Sequence, residues 1–301
     1  MQTLTIGTFN CENLFSRFRF TKKVKKSAID NAVINGFILD KKLFERIKDK
    51  ERDLTAKAIK ETRADIIGLQ EVENLDTLKS FQSDFLKLYP YQYLLDANDP
   101  RLIDVGVLSK VEATHLVTHQ FDKQNSHRVF SRDCLEMEFD LQGTPLTLFI
   151  NHFKSMLGGR DQTMARRMEQ SERVVQIVKN KFGNDPENER FIILGDLNDY
   201  LPSSGLEPLV SQPWLENVLE TRLPAGEQWT HWYDKDNSVA QIDYILISRR
   251  IARDNPDAKP VIVRKGLAKK ATKYAGPRYP GVGPVRPAAS DHCPVAITLS
   301  I

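Results

Sequence analysis

Cysteine is scarce in this 301-residue chain: Cys11, Cys134 and Cys293 are all there is. Three is too few, and an odd number, for a disulfide scaffold. Long hydrophobic runs are missing too, since no stretch approaches the ~18 consecutive apolar residues of a membrane span. The start, "MQTLTIGTFN", lacks the basic opening and apolar core of a signal peptide. A cytoplasmic protein is the expectation, although a chain whose leader had been removed would begin the same way. Charge of one sign is lacking as well. Lys and Arg number 43 against 40 Asp and Glu, a net +3, too small to require a nucleic-acid partner. Without a Gly/Ser linker or an internal repeat, the chain is expected to form a single domain over 1–301. No GxxxxGK[ST], GxGxxG after a strand, HExxH or GxSxG is present, which removes the P-loop, dinucleotide-binding, zincin and serine-hydrolase readings.

The composition, 41% hydrophobic and 28% charged, is that of a soluble globular protein. Short runs rich in Val, Ile, Leu, Phe and Thr predict strands near 3–10, 65–72, 91–97, 103–109, 115–121, 134–140, 145–153, 190–196, 229–233, 242–248, 260–264 and 293–299. Apolar residues near helical spacing predict helices over 41–62, 75–88 and 161–182. So many strands with so few helices suit two packed sheets with helices outside. The Pro- and Gly-rich stretch 274–290 reads as a long loop before the last strand, and long loops in compact domains are often functional.

Several strands end in polar residues. "ILGDLNDY" (193–200) places Asp196 and Asn198 after the apolar run Phe191-Ile192-Ile193-Leu194. "IGTFNCEN" ends in Asn10 with Glu12 beyond it, and "IIGLQEVEN" in Gln70 and Glu71. "LFINHFKS" carries Asn151, His152 and Lys154; "QIDYILIS" starts with Asp243; "SDHCPVAI" brings Ser290, Asp291 and His292. Each alone is explained by a turn, a cap or a buried histidine. Together, at the ends of strands sharing a sheet, they would gather carboxylates, histidines, amides and a lysine in one place. Oxygen donors without paired Cys/His spacing favour Mg²⁺ or Mn²⁺, or Ca²⁺, over structural zinc. A histidine held by a carboxylate moves protons. Lys154, Asn198 and a nearby arginine suit a phosphoryl group. The basic clusters 17–26 and 264–278 would follow a phosphate backbone or simply be solvated loops.

In the order "FNCEN", "LQEVEN", "NHFKS", "GDLND", "IDYIL", "SDHCPV", these motifs resemble the exonuclease–endonuclease–phosphatase superfamily, from residue 4 to residue 299. The resemblance implies a four-layer α-β-β-α sandwich of two packed mixed sheets, and a metal-dependent phosphoric ester hydrolase. It implies metal binding by Glu71, Asn10, Glu12 and Asp291. Asp196 would orient or deprotonate the attacking water, with Asn198 contacting the phosphate or the metal. Asp243 would pair with the catalytic His292, and His152 would be the second histidine of deoxyribonuclease-like members. Arg132, Asn151 and Lys154 would contact the substrate phosphate, and Asp104 would support His152. The expected function is a phosphodiesterase, first of all a nuclease with a nucleic-acid substrate and no obligate protein partner. The alternatives are a phosphatase or phosphodiesterase for a small molecule or lipid head group, and a non-catalytic binding protein of the same fold. A long apolar hairpin would favour a lipid substrate; only the mildly apolar 31–39 hints at one. Trp214, Trp229 and Trp232 are expected to pack in cores or anchor loops rather than stack bases.

Overall fold

A computed structural model of the protein describes residues 2–20, 25–27, 44–46 and 48–301. The apolar stretch 31–39 lies outside the described residues, as does part of the first basic cluster. Two six-stranded sheets dominate. The first runs Val261–Ile262, Val295–Ser300, Thr3–Leu14, Ile66–Val72, Asp104–Ser109, Tyr91–Leu94. The second runs Leu215–Asn217, Asp243–Ser248, Phe191–Asp196, Pro145–His152, Cys134–Asp140, His115–Thr118. Each is mixed in the same way: one central parallel pair, Thr3–Leu14 with Ile66–Val72 or Pro145–His152 with Phe191–Asp196, flanked by antiparallel neighbours. The expected strands fall into these sheets except 229–233. That one forms a hairpin, His231–Tyr233 with Ser238–Ala240, while Leu215–Asn217 takes the edge it left.

Side-chain alternation builds the layers. Ile6, Ile66, Ile150, Ile192, Leu194, Ile245 and Ile297 meet between the two sheets. Phe149, Phe191 and Ile193, with the opposite parity, pack under the Arg160–Phe182 helix with Val174 and Val178. Ile67, Leu69 and Leu108 lie under the Asp49–Thr62 and Leu75–Phe81 helices with Leu54, Ile59 and Leu78. The result is helix, sheet, sheet, helix, the expected four-layer sandwich. At Gly68 the sheets come so close that a Cβ would meet Ile150 and Leu194 at 2.7 and 2.8 Å.

Helix ends differ from the expectation. The first helix starts at Asp49 rather than 41, because Lys48 is left-handed (φ 63°) and Phe44–Arg46 pairs as a strand with Phe18–Phe20. The second is α-helical over Leu75–Phe81 and widens into a π-turn at Gln82–Leu86. The cysteines are free and buried. Among the described residues, no helix is long and apolar enough to cross a membrane.

Candidate active site

The site is where the inter-sheet core runs out. On Phe191–Asp196 the inward positions are Ile192, Leu194 and then Asp196; on Pro145–His152 they are Leu148, Ile150 and then His152. Asp243 leads Ile245 and Ile247 in the same parity. Register places His152 opposite Asp196, and Asp196 opposite Asp243. From the facing sheet Asn10 and Gln70 arrive paired. Where the apolar parity ends, the backbone leaves ordinary geometry: Glu12, Asn13, Glu71 and Asn198 all have positive φ, 49°, 66°, 63° and 53°. Left-handed non-glycine residues cost about 1–3 kcal/mol each and cluster at functional sites. Gly195 (φ 135°) makes the close turn before Asp196, since a Cβ there would sit 2.0 Å from the Asn151 carbonyl oxygen.

Asp196 is the hub. Its Oδ2 accepts from Asn10 Nδ2 and Asn198 Nδ2, both at 2.9 Å, and its Oδ1 accepts from the Asn198 backbone N–H at 2.8 Å. The same Oδ2 lies 3.6 Å from His152 Nε2 and 4.0 Å from His292 Nε2. Burial raises the Asp196 carboxyl, and with the Asp243 charge it outweighs the pull of His292, leaving the group at about 7. His292 Nδ1 faces Asp243 at 2.9 and 3.2 Å. Burial works against the imidazolium, but Asp243 overrides it and pushes His292 up to about 10. Thr230 Oγ1 donates to Asp243 Oδ2 at 2.7 Å. The Ser290 hydroxyl donates to the Asn10 carbonyl and accepts the His292 backbone N–H. His152 is the opposite case: burial first, then the nearby Arg132 charge, hold it well below the usual histidine range. One histidine is thus charged at neutral pH and the other neutral.

On the His152 side stands positive charge. Arg132, 1% exposed, donates from Nη1 to the Phe153 carbonyl at 3.0 Å, and its Nε is 3.0 Å from Asp99 without the alignment of a hydrogen bond. Arg101 grips the same Asp99 through Nε and Nη2. Lys154 is lowered by burial and then by the Arg132 and Arg101 charges. Gln70 Nε2, Arg132 Nε and His152 Nδ1 are buried without partners, and native proteins rarely leave such groups unpaired except where a ligand completes them.

The opposite side is acidic. Glu71 Oε2 accepts the Asn13 N–H, and burial, then the Asp291 charge, raise its carboxyl against the pull of His292. Asp291 is held at about 2 despite burial by His231 and His292. Two oxygen-donor groups that repel each other, with Asn10 between the strands, fit a hard divalent cation; Glu71 and Asp291 would hold it. Glu12 does not fit as well, because its carboxylate pairs with Arg286 and accepts the Asp291 N–H.

Two expectations are corrected. Asn151 shares the parity of Phe149, not of His152, so it points to the helix side, and its Nδ2 donates to the Phe149 carbonyl. Asp104 does not support His152, whose Nδ1 has no partner; it accepts the Ala97 N–H instead. Burial, then Asp96 and Asp99, push Asp104 up to about 7. A raised carboxyl disfavours the folded state by a penalty that grows from about pH 4, its unfolded value, to about 7 and persists above it. Asp104→Asn is therefore expected to raise Tm at pH 8 and leave it unchanged at pH 4; an equal shift at both pH values would show that charge is not the cause. Residues that the sequence reading missed are Thr230, His231, Arg101 and Asp99. His231 packs against His292 with centroids 4.6 Å apart and the rings tilted by 57°, and its Nε2 is 3.7 Å from Asp291. With it, half of the chain's six histidines stand at the site.

A family model described as Endonuclease/Exonuclease/phosphatase family matches residues 5–300. No curated protein matches the sequence. Among solved structures, truncated Caenorhabditis elegans TDP2 is similar with a TM-score of 0.64 at 16% identity, over 99% of this chain and 98% of that one. The mannosyl-6-phosphatase Bt3783 of Bacteroides thetaiotaomicron gives 0.61 at 16%, over 99% and 100%. SmcL gives 0.62 at 17%, over 99% of each chain. At such identities the likeness to solved structures shows the fold alone.

Proposed function

The chain belongs to the endonuclease/exonuclease/phosphatase family, and on that premise we propose that it is a divalent-metal-dependent phosphodiesterase whose substrate is nucleic acid. The activities in the family's name all hydrolyse phosphoesters, and the chain is a phosphoester hydrolase. The observation that carries the finer reading is Asp196 Oδ2, which meets Nε2 of both His152 and His292, with Arg132 and Lys154 on one flank and Glu71 and Asp291 on the other.

In this reading Asp196, fixed by three hydrogen bonds, takes the proton of the attacking water. His292, kept protonated by Asp243, faces the phosphoryl group as a cation and proton donor. His152 stays neutral and offers a hydrogen bond to a phosphoryl oxygen, while Arg132 and Lys154 offset charge on the others. Glu71 and Asp291 would hold a divalent cation, which would supply further neutralisation of the developing charge. The second basic cluster contributes less than its composition suggests. Arg278 is turned inward, donating to the carbonyls of Leu267, Ala268, Ala271 and Tyr274, and Lys265 is paired with Glu61.

The test sets bis-p-nitrophenyl phosphate, p-nitrophenyl phosphate and supercoiled plasmid side by side, with EDTA, Mg²⁺, Mn²⁺ or Ca²⁺. Diester hydrolysis and plasmid nicking that need the cation are expected. Turnover of the monoester alone, with the plasmid intact, would move the assignment to a small-molecule phosphatase.

A further inference from the structure

A cleft of about 420 Å³ opens beside the phosphoryl site. Its walls leave the same strand ends that carry the carboxylates: Tyr200 stands two residues past Asn198, and Gln241 two residues before Asp243. Trp229 and Gln228 line the same cleft. The three tryptophans separate here. Trp214 and Trp232 are 3% exposed and belong to cores, whereas Trp229 is only half-buried and Tyr200 is 40% exposed.

Each of the two rings is held by a guanidinium. Arg160 Cζ lies 3.8 Å from the Tyr200 centroid, and Arg264 Cζ lies 4.1 Å from that of Trp229. A ring fixed in this way loses little freedom when a second flat group stacks on it. The two arginines are not equivalent. Arg160 is paired with Asp199. Arg264 donates to the Glu227 and Trp229 carbonyls, keeps its Nε unpartnered, and among the described residues has no carboxylate at ion-pair distance. Its charge is therefore free to attract a polyanion. Inside the cleft the balance is reversed, because Glu220 lines it and repels phosphate. What fits is a neutral planar group with polar edges, attached to an anionic backbone, whose donors can meet the Oε1 oxygens of Gln228 and Gln241; the Nε2 groups already donate to the Glu220 and Leu223 carbonyls and to Asn217 Oδ1. The volume is within the range of small-molecule pockets.

Resting on the phosphodiesterase reading above, we propose that this cleft is a subsite for an unpaired nucleobase of a single-stranded nucleic acid whose scissile phosphate lies at Asp196. A base can enter only if it is neither paired nor stacked in a duplex. Trp229 and Tyr200 are then specificity-determining residues for strand type, separate from the groups that act on phosphorus.

The test compares kcat/KM for a short single-stranded oligonucleotide, its duplex and bis-p-nitrophenyl phosphate, in the wild type, Trp229→Ala, Trp229→Phe and Tyr200→Ala, with thermal melting of each. Expected is a preference of the wild type for the single strand. Each alanine variant should lose about tenfold to a hundredfold in the ratio of oligonucleotide to small-diester kcat/KM, the scale of one stacked base. Trp229→Phe should recover most of it. An unchanged ratio in both alanine variants, with the wild type cutting the oligonucleotide, overturns the subsite and leaves the phosphodiesterase reading intact. Equal or faster cleavage of the duplex overturns it as well. A wild type that hydrolyses bis-p-nitrophenyl phosphate but neither nucleic acid removes the nucleic-acid reading and the subsite together. Should Trp229→Ala fail to fold, Trp229→Phe and Tyr200→Ala still carry the comparison.

Discussion

His292→Ala is expected to lower kcat on a phosphodiester by about a hundredfold to ten-thousandfold, the range for a positioned acid or base. The size follows from where the imidazole is held. Nδ1 is engaged by Asp243, which Thr230 orients in turn, and Nε2 is turned toward Asp196 and Asp291 at 4.0 Å. With Asp243 overriding the cost of burial, His292 at about 10 keeps its proton at neutral pH, and in the proposed mechanism it is the acid and Asp196, at about 7, the base. The signs give the pH profile. Only ionised Asp196 accepts a proton, so activity rises as pH passes about 7. Only protonated His292 donates one, so activity falls as pH passes about 10. In His292→Ala the alkaline limb should vanish, and the acid limb should move to higher pH because the His292 charge that pulls Asp196 down is gone. In Asp243→Asn the imidazole remains without the charge that holds its proton, so the alkaline limb should move down toward the ordinary histidine range. His292→Ala also leaves Asp243 buried without its imidazole, so melting curves must accompany the kinetics. A His292→Ala enzyme that melts like the wild type and turns over within tenfold of it would remove His292 from the mechanism.

What could be read from the sequence was the meeting of polar strand ends. Alternation is a local property, so "FIILGD" already says that Asp196 continues the face of Ile192 and Leu194. The same parity was available for Asn151, and applying it there would have turned that residue away from the site. The left-handed turns at Glu71 and Asn198 were not legible, because nothing in "QEVEN" or "DLNDY" requires them; the convergence of two sheets does. Thr230 and His231 are set by a hairpin that pairs His231 with His292 across 61 residues, a register that no local pattern carries. The helix expected from 41 failed for a different reason, since its periodicity was real but Phe44–Arg46 found a strand partner in Phe18–Phe20. The family resemblance rested on the motifs at the strand ends, which is why it reached the carboxylates and histidines but not Arg101 or Asp99, which stand in a loop.

Asp199→Ala is expected to destabilise the fold by roughly 3–5 kcal/mol, the cost of stranding a buried charge, or about 5–8 °C in Tm for a chain of this size. Asp199 follows Asp196 and Asn198 but faces elsewhere. Arg167, fully buried, donates from Nε to its Oδ2 at 2.9 Å; Arg160 donates to Oδ1 at 2.7 Å; the Ser203 hydroxyl adds a third bond at 2.7 Å. Through Asp199, the start of the Arg160–Phe182 helix is fastened to the loop that positions Asn198. Burial alone would raise this carboxyl, but Ser203, Arg160 and Arg167 outweigh it and hold it below the usual range. A depressed carboxyl stabilises the fold above its unfolded value near 4, and that stability is lost as pH falls through the folded value. The gap between wild type and Asp199→Asn should therefore be wide at pH 7 and narrow toward pH 3. The decisive comparison is with Arg167→Met and the double variant Arg167→Met/Asp199→Leu. If the penalty comes from an orphaned buried charge, removing Arg167 and Asp199 together leaves only the partly exposed Arg160 without its carboxylate, and the double variant should be at least as stable as either single one. A double variant destabilised by the sum of the two singles would mean that packing, not charge, holds this corner. In that case Asp199 would matter to Asn198 only through its shape.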